Sequence, residues 1–103
     1  MLLETIFLYD CLRLPDVLEE VIGRRDNGSP NRLMGYKMKD TVIYGEDLPM
    51  LIHDNKSSVE GIAIYVTKSE LEAIDRFEEE AYKRARGVLQ DGSYAWFYHL
   101  KQP

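Results

Sequence analysis

The sequence predicts a single α+β domain in which short strands alternate with two helices. Three observations carry that expectation. The run Thr5 to Tyr9 (TIFLY) is continuously apolar, as in a strand buried on both faces. Two stretches repeat apolar residues at helical spacing, one after Pro15 and one after Ser69. The remaining apolar segments are short, strand-like and separated by turn-forming clusters. A chain of 103 residues is long enough for one hydrophobic core and too short for two, so residues 1–103 are read as one domain.

The elements follow in order. After the Thr5 to Tyr9 strand, Pro15 opens a helix with Leu14, Val17, Leu18, Val21 and Ile22 on one face. Gly23 stops it, and Arg24 and Arg25 lie just beyond, where the helix dipole favours positive charge. Asp26 to Asn31 (DNGSPN) is the strongest loop signal. Arg32 to Lys39 and Thr41 to Tyr44 read as strands with a turn at Asp40. Gly45 to Pro49 reads as irregular, Met50 to His53 as a resumed strand, and Asp54 to Ser58 (DNKSS) as another turn. Val59 to Val66 contains the strong strand GIAIYV. Ser69 with Glu72 has the spacing of a capping box for the second helix, Ser69 to Tyr82. Arg84 to Leu89, the turn QDGS and Tyr94 to Leu100 form an antiparallel hairpin.

Composition excludes several classes of partner. The net charge is −5 and no basic cluster exceeds the Arg24-Arg25 pair, which disfavours nucleic acid and anionic membrane surfaces. No apolar run approaches the roughly 20 residues a membrane helix needs. The opening MLLETIFLYD carries Glu4 and Asp10 and no basic n-region, unlike a signal peptide. A single cysteine forms no internal disulfide, which fits a cytoplasmic location. His53 and His99 lie at no metal-ligand spacing, so no metal is expected.

Glu78 is the residue out of place. On the wheel of the second helix it falls between Leu71 and Ile74, on the face directed at the core, while Glu70, Glu72, Arg76, Glu79 and Glu80 lie elsewhere. A carboxylate there has to be paired, hydrogen-bonded or protonated, because an isolated buried charge is too costly. Burial also raises its pKa towards the range useful for proton transfer near neutrality. The alternative is a helix that frays before residue 78, with Glu78 capping its end.

Three segments in order carry a resemblance to a known family. IFLYDCLR (Ile6 to Arg13) resembles the Y-G-S/T-L-R opening of the gamma-glutamylcyclotransferase-like family, which includes gamma-glutamylamine cyclotransferases. VEGIAIYV (Val59 to Val66) resembles its V-x-G-x-L/V-Y-x-L/V strand, and LEAIDRFEEEAYKR (Leu71 to Arg84) its L-D-x-x-E-G-x-x-Y-x-R segment. The likeness extends through RLMGYKM, Leu48-Pro49 and the last strand YAWFYHL. It implies a small, partly closed β-barrel of about five to seven strands flanked by helices, with a cavity where the first strand ends and Leu12 at its mouth. It implies cofactor-independent release of 5-oxoproline from a γ-glutamyl amine or amide, the substrate's own α-amine attacking its γ-carbonyl. The base in that chemistry aligns with Glu78. The first loop, Tyr9, Asp10, Cys11, Leu12 and Arg13, aligns with the segment that cradles the glutamyl end, and Tyr82 with a pocket tyrosine.

The first loop departs from the pattern. Asp10 stands where the family has glycine, and Cys11 where it has serine or threonine; Glu79 replaces a second glycine. Aspartate tolerates left-handed backbone better than most residues, so the turn is expected to form. Its charge is the greater concern: two like charges about 4 Å apart at an effective dielectric near 20 cost roughly 4 kcal/mol, enough to repel a substrate carboxylate. The alternative to an enzyme is therefore a silent module that keeps fold and cavity and binds a small molecule or a protein. The remaining candidates have plainer readings. Cys11 reads as a small buried hydrophobe rather than a nucleophile. Tyr65 and Tyr98 read as packing residues or hydroxyl donors to the cavity, and Asp75 as a partner of Arg13 or Arg84.

Overall fold

The computed structural model describes residues 2–43, 45–78 and 81–100. The strands are β1 (Glu4–Leu8), β2 (Ser29–Ile43), β3 (Glu46–Val66), β4 (Tyr82–Val88) and β5 (Tyr94–Leu100). The helices are α1 (Pro15–Ile22) and α2 (Lys68–Glu78), and a 3-10 turn spans Cys11–Arg13. One sheet contains all five strands in the order β2-β3-β1-β5-β4. β1 lies at its centre, antiparallel to β3 and parallel to β5.

The apolar run at the N-terminus explains that central position. Ile6 and Leu8 pack with Leu18, Leu71 and Ile74 on the helix-covered face. Phe7 and Tyr9 point the other way, into a second cluster with Leu33, Leu89 and Phe97. With both faces of β1 buried, a continuous apolar run is required rather than an alternating one. The sheet curls until its outer strands approach: Leu33 and Leu89 form an antiparallel bridge, and the Gln90 N–H donates to the Arg32 carbonyl at 3.0 Å. The result is a half-barrel of five strands with two helices. Gly61 permits the tight packing of β3 on β1, since a Cβ there would lie 2.3 Å from the Leu8 carbonyl oxygen.

The middle of the chain is more regular than the turn signals predict. Ser29–Asn31, expected in the loop, already pair with Gly61–Ala63. Asp40 is no turn but a mid-strand residue facing Pro49, and residues 46–49 are paired strand rather than irregular. Asp54–Ser58 does not reverse the chain either. Met34 pairs with Ser58 and Tyr36 with His53, so residues 54–57 stand opposite Gly35 alone. The turn chemistry there is real: Asp54 accepts from the Lys56 N–H at 3.0 Å and from the Ser57 hydroxyl at 2.9 Å. It is spent on a bulge, made possible by Gly35 at φ +84°. Ladder bonds on either side hold the strand together through the interruption.

Both helices are pinned at their ends. Gly23 closes α1 as expected, its N–H donating to the Glu19 carbonyl at 2.9 Å. Arg24 then reaches across to α2, holding Glu70 with two nitrogens at 2.7 and 3.1 Å. The capping box of α2 lies two residues before the expected one. The Thr67 hydroxyl accepts from the Glu70 N–H and the Glu70 carboxylate from the Thr67 N–H, at 3.2 and 2.9 Å. T-x-x-E and S-x-x-E overlap in this sequence, and the end of β3 at Val66 selects the first. α2 ends at Glu78 rather than at Tyr82, which begins β4. Among the described residues no helix is long and apolar enough to cross a membrane.

Candidate active site around Glu78

Burial of Glu78 follows from the helical wheel. Leu71, Ile74 and Glu78 are the buried residues of α2, and Glu78 is only 6% exposed. The helix therefore does not fray before residue 78. Glu78 is its last residue, and its carbonyl accepts from the Ala81 N–H at 3.2 Å. Among the described residues its Oε1 has no hydrogen-bond partner. Its pKa is pushed up to about 8, first by burial, then by the charge of Asp10 and a hydrogen bond with it. The negative end of the α2 dipole acts in the same direction.

Glu78 lines a cavity of about 870 Å³ at the end of β1. The same cavity is lined by Tyr9, Asp10, Cys11 and Arg13 from the first loop and by Tyr82 from β4. Six of the seven residues singled out from the sequence thus share one cavity. Leu12 is the exception. Its side chain is fully buried in the core beneath α1 rather than at the mouth, while its backbone N–H faces the Asp10 side chain.

Individual roles differ from the expectations. Asp10 caps the 3-10 turn, its Oδ1 accepting from the Leu12 N–H at 3.1 Å, with φ −99°. That backbone is extended, so this position does not demand glycine for conformational reasons. Cys11 is exposed rather than buried. Its thiol is pushed up by desolvation and by Asp10 and Glu78, which makes it a poor nucleophile. Tyr9 donates its hydroxyl to the Tyr98 carbonyl at 2.5 Å, and Tyr82 to the Pro49 carbonyl at 3.0 Å. Burial raises both phenols, so they stay neutral with their protons committed to backbone. What they offer a ligand is ring surface and oxygen lone pairs. Arg13 is exposed, its guanidinium donating to the Asp10 carbonyl at 3.1 Å.

The other candidates lie outside the cavity. Tyr65 is exposed on the outer surface. Tyr98 donates to Asp75 at 2.5 Å, and Asp75 also pairs with Arg84 at 3.1 Å, which assigns its partner as Arg84 rather than Arg13. His53 packs at a tilt against Tyr36 and His99 against Phe97, and neither lines the cavity with Cys11. Glu79 lies outside the described residues. Among those described, no group of three or more His, Cys, Asp or Glu side chains is arranged to hold a metal ion.

One wall was missed in the sequence. The β2–β3 ribbon carries Met38, Asp40, Asp47, Leu48 and Pro49 over the cavity, and α2 adds Arg76 and Phe77. Asp40 read as a turn because the signal for a long ribbon is pairing between distant residues, which local periodicity does not contain. Leu48-Pro49 was visible only through the family likeness.

The half-barrel fold has counterparts of known structure. It superposes on two Arabidopsis thaliana proteins solved in solution. The first gives a TM-score of 0.79 at 21% identity, covering 97% of this chain and 63% of that one. The second gives 0.76 at 25% identity, covering 100% and 74%. A gamma-glutamyl cyclotransferase gives 0.77 at 14% identity, covering 98% and 68%. The chain thus spans less than two thirds of the first of these relatives. No curated protein sequence matches it. Residues 6–103 match the family described as gamma-glutamyl cyclotransferase, AIG2-like, and the chain belongs to that family.

Proposed function

We propose that this chain is a gamma-glutamyl cyclotransferase that releases 5-oxoproline from a γ-glutamyl amine or amide, with Glu78 as general base. The observation that carries the proposal is a buried, incompletely bonded carboxyl with an elevated pKa, lining a cavity large enough for such a substrate. In the reaction Glu78 takes a proton from the substrate's α-ammonium. The freed amine attacks the γ-carbonyl, and the C–N bond to the leaving amine breaks. The proton held by Glu78 passes to that amine, and the ring nitrogen gives up its second proton, so the amine leaves as its ammonium. Atoms balance as γ-glutamyl amide to 5-oxoproline plus the released ammonium, with no external reactant. The cavity holds amine and carbonyl in near-attack geometry, with Tyr9 and Tyr82 shaping its walls.

A second reading, a binding module without turnover, draws support from Asp10, whose carboxyl shares the cavity with Glu78. Release of 5-oxoproline from a panel of γ-glutamyl amines by wild type and Glu78→Gln separates the two. The enzyme reading expects turnover in wild type and its loss, by at least a hundredfold, in a folded glutamine variant. Full activity in that variant eliminates Glu78 as base, and an inactive wild type favours the binding module.

A further inference from the structure

Asp10, from the first loop, and Glu78, from the end of α2, are distant in sequence and line the same cavity, where the charge of Asp10 adds to burial in holding the Glu78 proton. Asp10 is fixed by the Leu12 N–H through Oδ1. Glu78 is more than nine-tenths buried, lines the cavity and has an oxygen without a partner among the described residues. Neither carboxyl forms an ion pair among those residues, and the nearby Arg13 guanidinium is turned to the Asp10 backbone carbonyl. The charged groups facing the pair are Arg13 from the turn, Arg76 from α2, and Asp40 and Asp47 from the ribbon. Tyr9, Tyr82 and Cys11 face it as neutral groups, each raised first by burial and further by the charges of Asp10 and Glu78. Two adjacent carboxyls without a cation hold a proton between them, or they take a cation from the ligand.

We propose that Asp10 and Glu78 act together as the binding site for a primary ammonium group of the ligand, which replaces a proton shared between them. On this view Asp10 is a ligand-binding residue, not an obstacle. The ammonium enters between the carboxyls, and one proton leaves to solvent. The proposal rests on the cavity being the substrate site. It makes the α-ammonium of a γ-glutamyl compound the group that fits, and it predicts the opposite sign from simple repulsion of a substrate carboxylate.

Calorimetry in two buffers of different ionisation enthalpy tests it with L-glutamine, n-butylammonium and 5-oxoproline, which lacks an ammonium. L-glutamine and n-butylammonium are expected to release close to one proton per site at pH 6.5, with release declining as pH rises through 8. Asp10→Asn keeps an acceptor for the Leu12 N–H and so keeps the loop. It is expected to weaken both ammonium probes at least tenfold without weakening 5-oxoproline, which has no ammonium to lose. Equal or tighter ammonium binding in that variant overturns the proposal, as does binding without proton release or no binding of either probe. The two readings fail separately. Proton-linked binding without turnover of any γ-glutamyl amine removes the cyclotransferase and keeps the ammonium site. Turnover and affinity unchanged in Asp10→Asn do the reverse.

Discussion

Ile74 and Glu78 stand one turn apart on the same buried face of α2, one apolar and one ionisable. The fold thus places a carboxyl where a leucine would stabilise it, and the cost depends on pH. In the folded state Glu78 holds its proton to about pH 8, whereas an unfolded chain releases it near 4.5. Between those values the unfolded state binds fewer protons, so stability falls as pH rises through that window.

Glu78→Gln removes that dependence. The variant is expected to match wild type near pH 4.5 and to exceed it by on the order of 1–3 kcal/mol at pH 8. Urea unfolding at both pH values checks this. A variant less stable than wild type at pH 8 contradicts burial of an ionisable Glu78.

The same carboxyl sets a pH profile. If Glu78 is the base, kcat/KM for a γ-glutamyl amine rises with pH and levels near 8. Asp10→Asn removes a charge that holds that value up, so the bend moves to lower pH. A profile with the bend unchanged in that variant disconnects Asp10 from the base.

The position of the α2 cap yields a paired test. Thr67→Ala is expected to cost about 1 kcal/mol, because its hydroxyl satisfies the Glu70 N–H. Ser69→Ala is expected to change stability by less than about 0.5 kcal/mol, as an exposed surface substitution. Reversal of that order in thermal unfolding places the cap at Ser69 instead.

Gly61→Ala probes the packing of β3 on β1. Its Cβ would collide with the Leu8 carbonyl and the Phe7 ring, and the strands have no room to part without disturbing the core. A loss of about 1–3 kcal/mol is expected. Unchanged unfolding would mean that β1 and β3 yield easily.

The legible parts of this sequence were those whose signal is local. The apolar run of β1, the Pro15 to Gly23 helix and the wheel that isolates Glu78 each lie within a few turns or one strand. The illegible parts depended on pairing across distance. Asp40 and Asp54 carry turn-forming side chains, yet long ladders absorb one as ordinary strand and the other as a bulge. The exposure of Cys11 and the burial of Leu12 were likewise hidden. The 3-10 turn that turns one inward and the other outward has too short a period to read.

The contact between Leu33 and Leu89 bears on how this molecule behaves in a crowded solution. A flat sheet of this length offers a row of idle amides at each rim, which can recruit a second chain. Here the rims meet at Leu33 and Leu89, with Gln90 and Arg32 joined beside them. Rolling thus conceals part of what would otherwise be adhesive. Substitutions that slacken this seam, such as Leu89→Ala, are therefore expected to show themselves as concentration-dependent clumping before they show themselves as lost helix content.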